Sequence, residues 1–141
     1  LLEDDDYRRL LGDIGLWLDL LGTFDPEGAE PVLVAASTHP DPYIASWGIV
    51  PLLRAGRDVA VADVERAGSS PESRAIILNE IRLDRLPAAL RSQPAIAEAE
   101  LVGWLASPME VGRPPSDIEP LKVISFSDSD GQRTALHVFR F

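Results

Sequence analysis

The sequence predicts a mainly α-helical protein: an α-solenoid of about three helix pairs with a small C-terminal β-hairpin cap. Three observations predict this fold class. Apolar residues recur at helical spacing through residues 1–106, the breaks between helices return about every thirty residues, and two alternating segments flank an Asp-Gly pair near the C-terminus. Because one helix pair cannot bury its apolar surface alone, repeats of this length stack against their neighbours.

The breaks share one pattern, in which a glycine or proline ends one helix and an Asp-Pro or Ser-Pro pair begins the next. Gly22 and Gly56 are 34 positions apart, and Pro40 and Pro71 are 31 apart, which is the length of one helix pair. Aspartate and serine cap helix N-termini, and proline is favoured in the first turn. The spacing therefore predicts equivalent helices that begin at Pro42 and at Pro71 and run roughly parallel.

The first helix is predicted over residues 5–21. Its apolar residues fall in a stripe about 120° wide on a helical wheel, whereas Leu16 and Leu20 point away from it. An end helix should carry a polar outer face, so we expect these two leucines to contact residues upstream of Leu1 or a second subunit, as in a homodimer. The stripe consists of Tyr7, Leu10, Leu11, Ile14, Trp17, Leu18 and Leu21.

Periodicity and breaks predict the remaining elements. Later helices are expected at 26–37, 42–55, 57–67, 71–83, 87–92 and 95–106. Proline and glycine then mark a loop, with a short capping-box turn at 116–119. Strands at 121–126 and 134–141 should form a hairpin around Asp130-Gly131. We expect residues 107–141 to cap the last helices near Trp104, within one domain that also holds the helical region 1–106.

Composition and charge exclude several classes of function. The 141 residues carry a net charge of −10, and residues 1–30 alone hold nine acids and two arginines. This acidic segment repels phosphate, so we expect no nucleic-acid partner. No apolar run approaches the roughly 20 residues that span a bilayer, so we expect a cytoplasmic protein without a membrane partner. The absence of cysteine excludes disulfides and thiolate chemistry.

The sequence offers no catalytic or metal-binding set. The two histidines, His39 and His137, lie about a hundred positions apart and have no orienting partner in the sequence, and they are too few for a zinc site without cysteine. No phosphate-binding glycine loop is present, so we expect no cofactor. The tryptophans, at 17, 47 and 104, each lie in an apolar helical segment and are predicted to pack in the core.

All basic residues between positions 31 and 110 are arginines, and they are the candidates for partner binding. Stacked helix pairs can align arginines on one face, which would suit the carboxylates of an acidic protein partner. The alternative is ion pairing between repeats with the acids of the same region. The candidates are Arg54, Arg57, Arg66, Arg74, Arg82, Arg85 and Arg91. The acids of the alternative are Asp58, Asp63, Glu65, Glu72, Glu80 and Asp84.

The helix pairs that open with proline resemble HEAT-like repeats, the short kind associated with bilin lyases. This resemblance covers about residues 5–106, and the tail from Trp104 to Glu119 is similar to a segment of uncharacterised bacterial helical-repeat proteins. It implies a binding scaffold and supplies no catalytic residues. The residues that carry the repeat resemblance are Asp25-Pro26, Asp41-Pro42 with Ala45, Pro51 with Leu52-Leu53, and Ser70-Pro71 with Ala75.

The sequence thus favours a non-enzymatic protein-binding scaffold, adaptor or regulator. Two alternatives stay open: a helical-repeat enzyme of the lyase or DNA-glycosylase kind, and a structural or oligomerising fragment of a longer protein. A glycosylase needs a basic groove for the phosphate backbone, which this acidic chain does not readily supply.

Overall fold

A computed structural model describes residues 4–107, 110, 112, 118–127 and 129–141. These residues form six α-helices and a two-stranded antiparallel sheet, so the mainly helical fold class is confirmed. The elements in order are α1 (Asp4–Phe24), α2 (Glu30–Ser37), α3 (Pro42–Arg54), α4 (Val61–Ala67), α5 (Pro71–Glu80), a short 3-10 turn (Leu83–Arg85), α6 (Gln93–Ala106), β1 (Glu119–Ser127) and β2 (Arg133–Arg140).

The predicted helix starts at Pro42 and Pro71 are confirmed. The Asp41 carboxylate accepts a hydrogen bond from the Tyr43 amide at 2.8 Å, and the Ser70 hydroxyl accepts one from the Ser73 amide at 3.2 Å. Each cap is followed by proline, whose missing N–H costs nothing in the first turn. Local chemistry therefore determines both starts.

Other boundaries differ from the prediction. Gly22 does not end the first helix, because it lies inside α1 at a close approach to Pro51 of α3. Asp25 caps a separate turn by accepting a hydrogen bond from the Gly28 amide at 3.0 Å, so α2 begins only at Glu30. The helix predicted at 87–92 is wrong: this segment forms turns, with the Leu90 amide bonded to the Pro87 carbonyl at 3.1 Å.

The helices α1, α3 and α5 run in the same direction. At one end, the Tyr7 hydroxyl of α1 donates to the Asp41 carboxylate, which caps α3. At the other end, Arg54 in the last turn of α3 pairs with Asp19 of α1 at 2.6 Å and with Glu80, the last residue of α5. The prediction that the helices from Pro42 and from Pro71 run parallel is therefore confirmed.

The packing of α2 on α3 depends on Gly48. A Cβ atom at this position would lie 2.5 Å from the Ser37 amide nitrogen and 2.8 Å from the Leu33 carbonyl oxygen, both in the backbone of α2. Such distances are too short for any side chain, so only glycine allows this helix contact. The core lies around α3, where Ile49 and Val50 are fully buried.

The apolar stripe of α1 is covered on one side only. Leu18 is buried in a cluster with Leu33 and Leu52, and Ile14 packs against it. Four stripe residues predicted to pack inward are exposed instead: Tyr7 by 45%, Leu10 by 47%, Trp17 by 64% and Leu21 by 41%. Phe24, one turn beyond Leu21, is 81% exposed. We call Leu10, Trp17, Leu21 and Phe24 the outer face of α1.

The core positions predicted for the tryptophans are wrong for two of the three. Trp17 and Trp104 are 64% and 56% exposed, whereas Trp47 packs against the buried cluster that contains Leu18, Leu33 and Leu52. A Cβ atom on Gly15 would lie 2.6 Å from Nε1 of Trp47, so the indole stands directly against the backbone of α1. Helical periodicity in the sequence is the same for a buried tryptophan and for an exposed one. Whether a tryptophan is buried depends on which neighbouring elements pack against it.

The hairpin forms as predicted from its turn. Its strands pair antiparallel from Glu119 opposite Arg140 to Ser127 opposite Arg133, and Gly131 adopts a φ of +78°, which favours glycine. Its aromatic residues are only partly covered, since Phe126 and Phe141 are 49% and 63% exposed and Phe139 is half-buried. The hairpin as a cap on the last helices therefore stays a prediction. Residues 108, 109, 111 and 113–117 of the predicted loop and capping-box turn lie outside the described residues.

Among the described residues, no helix has the length and apolar character needed to cross a bilayer.

Candidate functional site

Five of the seven candidate arginines are held in ion pairs, most of which join neighbouring helices. Arg54 links α1 to α5, and Arg57 pairs with Glu30 of α2 at 2.9 Å. Arg74 of α5 pairs with Glu98 of α6 at 2.6 Å and also donates to the Gly68 carbonyl at 3.0 Å. These side chains act as links between helices rather than as a row of free cations.

Arg66 pairs with Asp63 within α4 and donates to the carbonyl oxygens of Ser37 and His39 at 2.8 and 2.6 Å. It thereby ties α4 to the turn between α2 and α3. Arg82 pairs locally with Asp84 on the surface. The observed partners include Asp63, Glu80 and Asp84, as the ion-pairing alternative expects. They also include three acids outside that set, namely Asp19, Glu30 and Glu98.

Arg85 and Arg91 are exposed and have no ion pair within the described ranges.

The leucines expected at a subunit contact differ in exposure: Leu16 is 55% exposed, whereas Leu20 is half-buried. Their contact with upstream residues or with a second subunit stays a prediction.

A cleft of about 530 Å³ lies where α1, α3 and α5 begin. This volume falls within the range of roughly 300–1,000 Å³ typical of ligand sites. Tyr7, Arg8 and Leu11 line it from α1, and the end of α6 closes it with Ala106. The residues that line it from the starts of α3 and α5 are Asp41, Pro42, Tyr43, Ser70, Glu72 and Ser73.

Hydrogen bonds hold the α3 side of the cleft in place. The Asp41 carboxylate accepts one bond from the Tyr43 amide and another, at 3.1 Å, from the Tyr7 hydroxyl. Nδ1 of His39 accepts a bond from the Asp41 amide at 3.1 Å, which orients the turn before α3. His39 therefore has a structural partner, and its imidazole supports the N-cap of α3 rather than a catalytic set.

The electrostatics of the cleft are acidic. Among the described residues that line it, Arg8 is the one cation, against the carboxylates of Asp41 and Glu72. Partial burial in the cleft raises the pKa of Glu72 above its ordinary value of 4.5; Arg8 opposes this shift and the charge of Asp41 adds to it. The hydrogen bond to the Asp41 carboxylate, with its negative charge, likewise raises the pKa of Tyr7.

Of the two cleft carboxylates, Asp41 has hydrogen-bond partners and Glu72 has none among the described residues. Within the described part of the chain it makes no hydrogen bond and no ion pair, although Arg8 lies near enough to influence its charge. A carboxylate in such a place favours an incoming cation. Metal binding is not indicated, because no group of three or more histidine, aspartate or glutamate side chains converges among the described residues.

Comparison of the chain with protein-family models, with curated proteins and with solved structures gives no match. The resemblance to HEAT-like repeats therefore stays a prediction.

Sequence reasoning did not bring Tyr7, Arg8, Asp41 and Glu72 together. One signal for the cleft was present, because the repeat spacing places the starts of α3 and α5 at the same end of the protein. The start of α1 joins them through the Tyr7–Asp41 bond, which no spacing predicts.

Proposed function

We propose that this chain is a non-enzymatic helical scaffold that binds a protein partner, and that the cleft takes up a basic side chain of that partner. The observation that carries the proposal is Glu72, a carboxylate in the cleft with a raised pKa and no ion pair in the described part of the chain. A cation placed beside it would relieve the unfavourable burial of its charge.

The lining of the cleft suits a lysine or arginine side chain. Asp41 and Glu72 supply negative charge, while Tyr7 from α1 and Tyr43 from α3 supply aromatic rings. Ammonium and guanidinium groups bind carboxylates by charge-assisted hydrogen bonds and lie well on aromatic rings. Among the described lining residues, an acidic side chain would find one cation, Arg8, against two carboxylates.

This proposal reverses the expected charge of the partner. The sequence favours an acidic partner at the middle arginines, but five of these seven side chains already have carboxylate partners within the chain. Recruiting them would first require breaking pairs such as Arg74–Glu98, whose side chains are only 12% and 23% exposed. A basic partner needs no such rearrangement.

The arrangement as HEAT-like repeats belongs to the same proposal. The parallel course of α1, α3 and α5 supports it, as does the antiparallel partner that α2 provides for α3. In such a stack, equivalent helix ends form a row along one edge, and the cleft occupies that row. Repeat scaffolds bind partners along extended surfaces of this kind.

The test uses N-acetylated hexalysine amide and hexaglutamate as probes, titrated into the full chain while amide chemical shifts are followed by NMR. Hexalysine should shift the amides of Tyr7, Asp41 and Glu72, and hexaglutamate should not. Glu72→Gln should weaken hexalysine binding by about fivefold, since a partly exposed ion pair contributes on the order of 1 kcal/mol. Glu65→Gln, which removes an exposed acid on α4, is the matched control. Equal binding by the Glu72→Gln variant would refute the proposal.

A second candidate function is favoured by the same raised pKa. A carboxyl with a raised pKa in a cleft is a suitable general acid or base, which supports a helical-repeat lyase or glycosylase as the alternative. A glycosylase would also need cations along the backbone of DNA, and Arg8 is the one cation among the described residues of the cleft. Release of the free base from duplex DNA that carries uracil or alkylated bases, lost on Glu72→Gln, would support this candidate over the scaffold.

A further inference from the structure

We propose that the outer face of α1 docks a basic amphipathic helix of a protein partner. This inference rests on the proposed scaffold function but concerns a different side of α1 from the cleft. The starting observation is the exposure of four large apolar side chains on one helix. Leu10, Trp17, Leu21 and Phe24 are 47%, 64%, 41% and 81% exposed. A contiguous exposed apolar surface of this kind is typical of an interaction site.

The spacing of these residues indicates that the occupant is a helix. With the half-buried Ile14 included, the positions are 10, 14, 17, 21 and 24, which alternate in steps of four and three. That alternation is the a and d pattern of a coiled-coil seam, in which side chains of one helix fit between those of another. From Leu10 to Phe24 the seam extends roughly 21 Å at 1.5 Å per residue, enough for about four turns of a partner helix.

The charges beside the seam indicate that the partner helix is basic. On the open side of the seam, the flanking heptad positions are 6, 13 and 20, occupied by Asp6, Asp13 and the half-buried Leu20. Asp6 and Asp13 are exposed, and Asp13 has no ion pair among the described residues. The nearby Arg9 is paired with Asp6 at 3.1 Å. Charges at these positions select the partner in coiled coils, and acids select lysine or arginine.

A second copy of the chain fits this face less well. In an antiparallel pair of α1 helices, the open-side positions of the two copies would face each other, and each copy supplies aspartate and leucine there but no cation, so two acidic surfaces would meet and repel each other. Residues 1–30 contain nine acids and two arginines, and Arg9 already has a partner. Pairing with a basic helix removes this repulsion, whereas self-association increases it.

The experiment screens the full chain against a displayed library of 21-residue helices with leucine or isoleucine at every a and d position. The flanking e and g positions are drawn from lysine, glutamate and serine. Binders should be enriched in lysine at those positions. Trp17→Ser should weaken the selected binder about tenfold or more, as expected for a central aromatic contact residue. Trp104→Ser is the matched control, because Trp104 is 56% exposed on α6 and should be dispensable.

Charge reversal provides a second arm. Asp13→Lys should shift the selected flanking residues from lysine to glutamate, whereas Glu65→Lys on α4 should not. No enrichment, enrichment of glutamate, or equal loss with Trp104→Ser would overturn the inference. A dimer in sedimentation equilibrium that Trp17→Ser converts to a monomer would also overturn it, since the occupant would then be a second copy. Each of these failures leaves the cleft and its Glu72-dependent binding of hexalysine untouched.

Discussion

Replacement of Gly48 by alanine gives the most direct test of the packing between α2 and α3. The new Cβ atom would lie 2.5 Å from the Ser37 amide nitrogen and 2.8 Å from the Leu33 carbonyl oxygen. Backbone atoms cannot turn aside, so the helices must separate by roughly 0.5–1 Å, and such a gap forfeits a quarter to a half of the dispersion energy of the contacts involved. We expect a cost of about 2–4 kcal/mol, partly offset by about 1 kcal/mol of higher helix propensity.

Gly103→Ala is the matched control, because Gly103 also lies inside a helix but a Cβ atom there meets nothing within 4 Å. This variant should gain up to about 1 kcal/mol from helix propensity alone. Urea unfolding followed by circular dichroism measures both, and the midpoints should move in opposite directions with unchanged slopes. If Gly48→Ala is as stable as the parent, the close contact between α2 and α3 is wrong.

Three further predictions concern stability. Arg74→Ala should destabilise the fold by about 2–3 kcal/mol in the same assay, because it leaves the largely buried Glu98 unpaired. Arg82→Ala should change stability by less than about 0.5 kcal/mol, since the side chains of its pair with Asp84 are 81% and 63% exposed. Equal effects would contradict the role of Arg74 as a link between α5 and α6. Leu33→Ala should lower the free energy of unfolding by about 2–5 kcal/mol and Val32→Ala by under about 0.5 kcal/mol, because Leu33 is 1% exposed and Val32 is 50% exposed. If Val32→Ala were the more damaging change, the side of α2 that faces the core would be wrong. Glu72 binds its proton more tightly in the folded state than in the unfolded state, so its ionisation lowers the stability of the fold as pH rises from about 4.5 through its raised pKa. In thermal melts across this range, Glu72→Gln should therefore be more stable than the parent at neutral pH and equal to it below pH 4.5.

Local chemistry made much of the helical part predictable. Asp41-Pro42 and Ser70-Pro71 cap their own helices through bonds within a few residues, so their effect is readable without knowledge of the fold. The hairpin follows from Asp130-Gly131 for the same reason, because only a few residues set the geometry of a tight turn. The parallel course of α3 and α5 was also predicted, from the spacing of the breaks that precede these two helices.

Contacts between distant residues were not readable in this way. Gly22 looks like a helix end from its neighbours alone, yet it lies inside the last turn of α1, where its close approach to Pro51 requires a small residue. The arginines carry the same charge whether they are free or paired, and their partners at Asp19 and Glu98 lie 35 and 24 positions away. The cleft depends on one such contact, the Tyr7–Asp41 bond between residues 34 positions apart.

The sequence by itself determined where most helices and strands lie, because helix caps, turns and periodicity act over a few residues. Only the tertiary structure decided which side of each helix is covered and which charges have partners. Leu18 and Trp17 are adjacent in one apolar stripe, yet the first is 6% exposed and the second 64%. The physical reason is that the burial of a residue depends on the elements that pack around it. Those elements come from distant segments of the chain, so the local sequence pattern does not indicate which residues they cover.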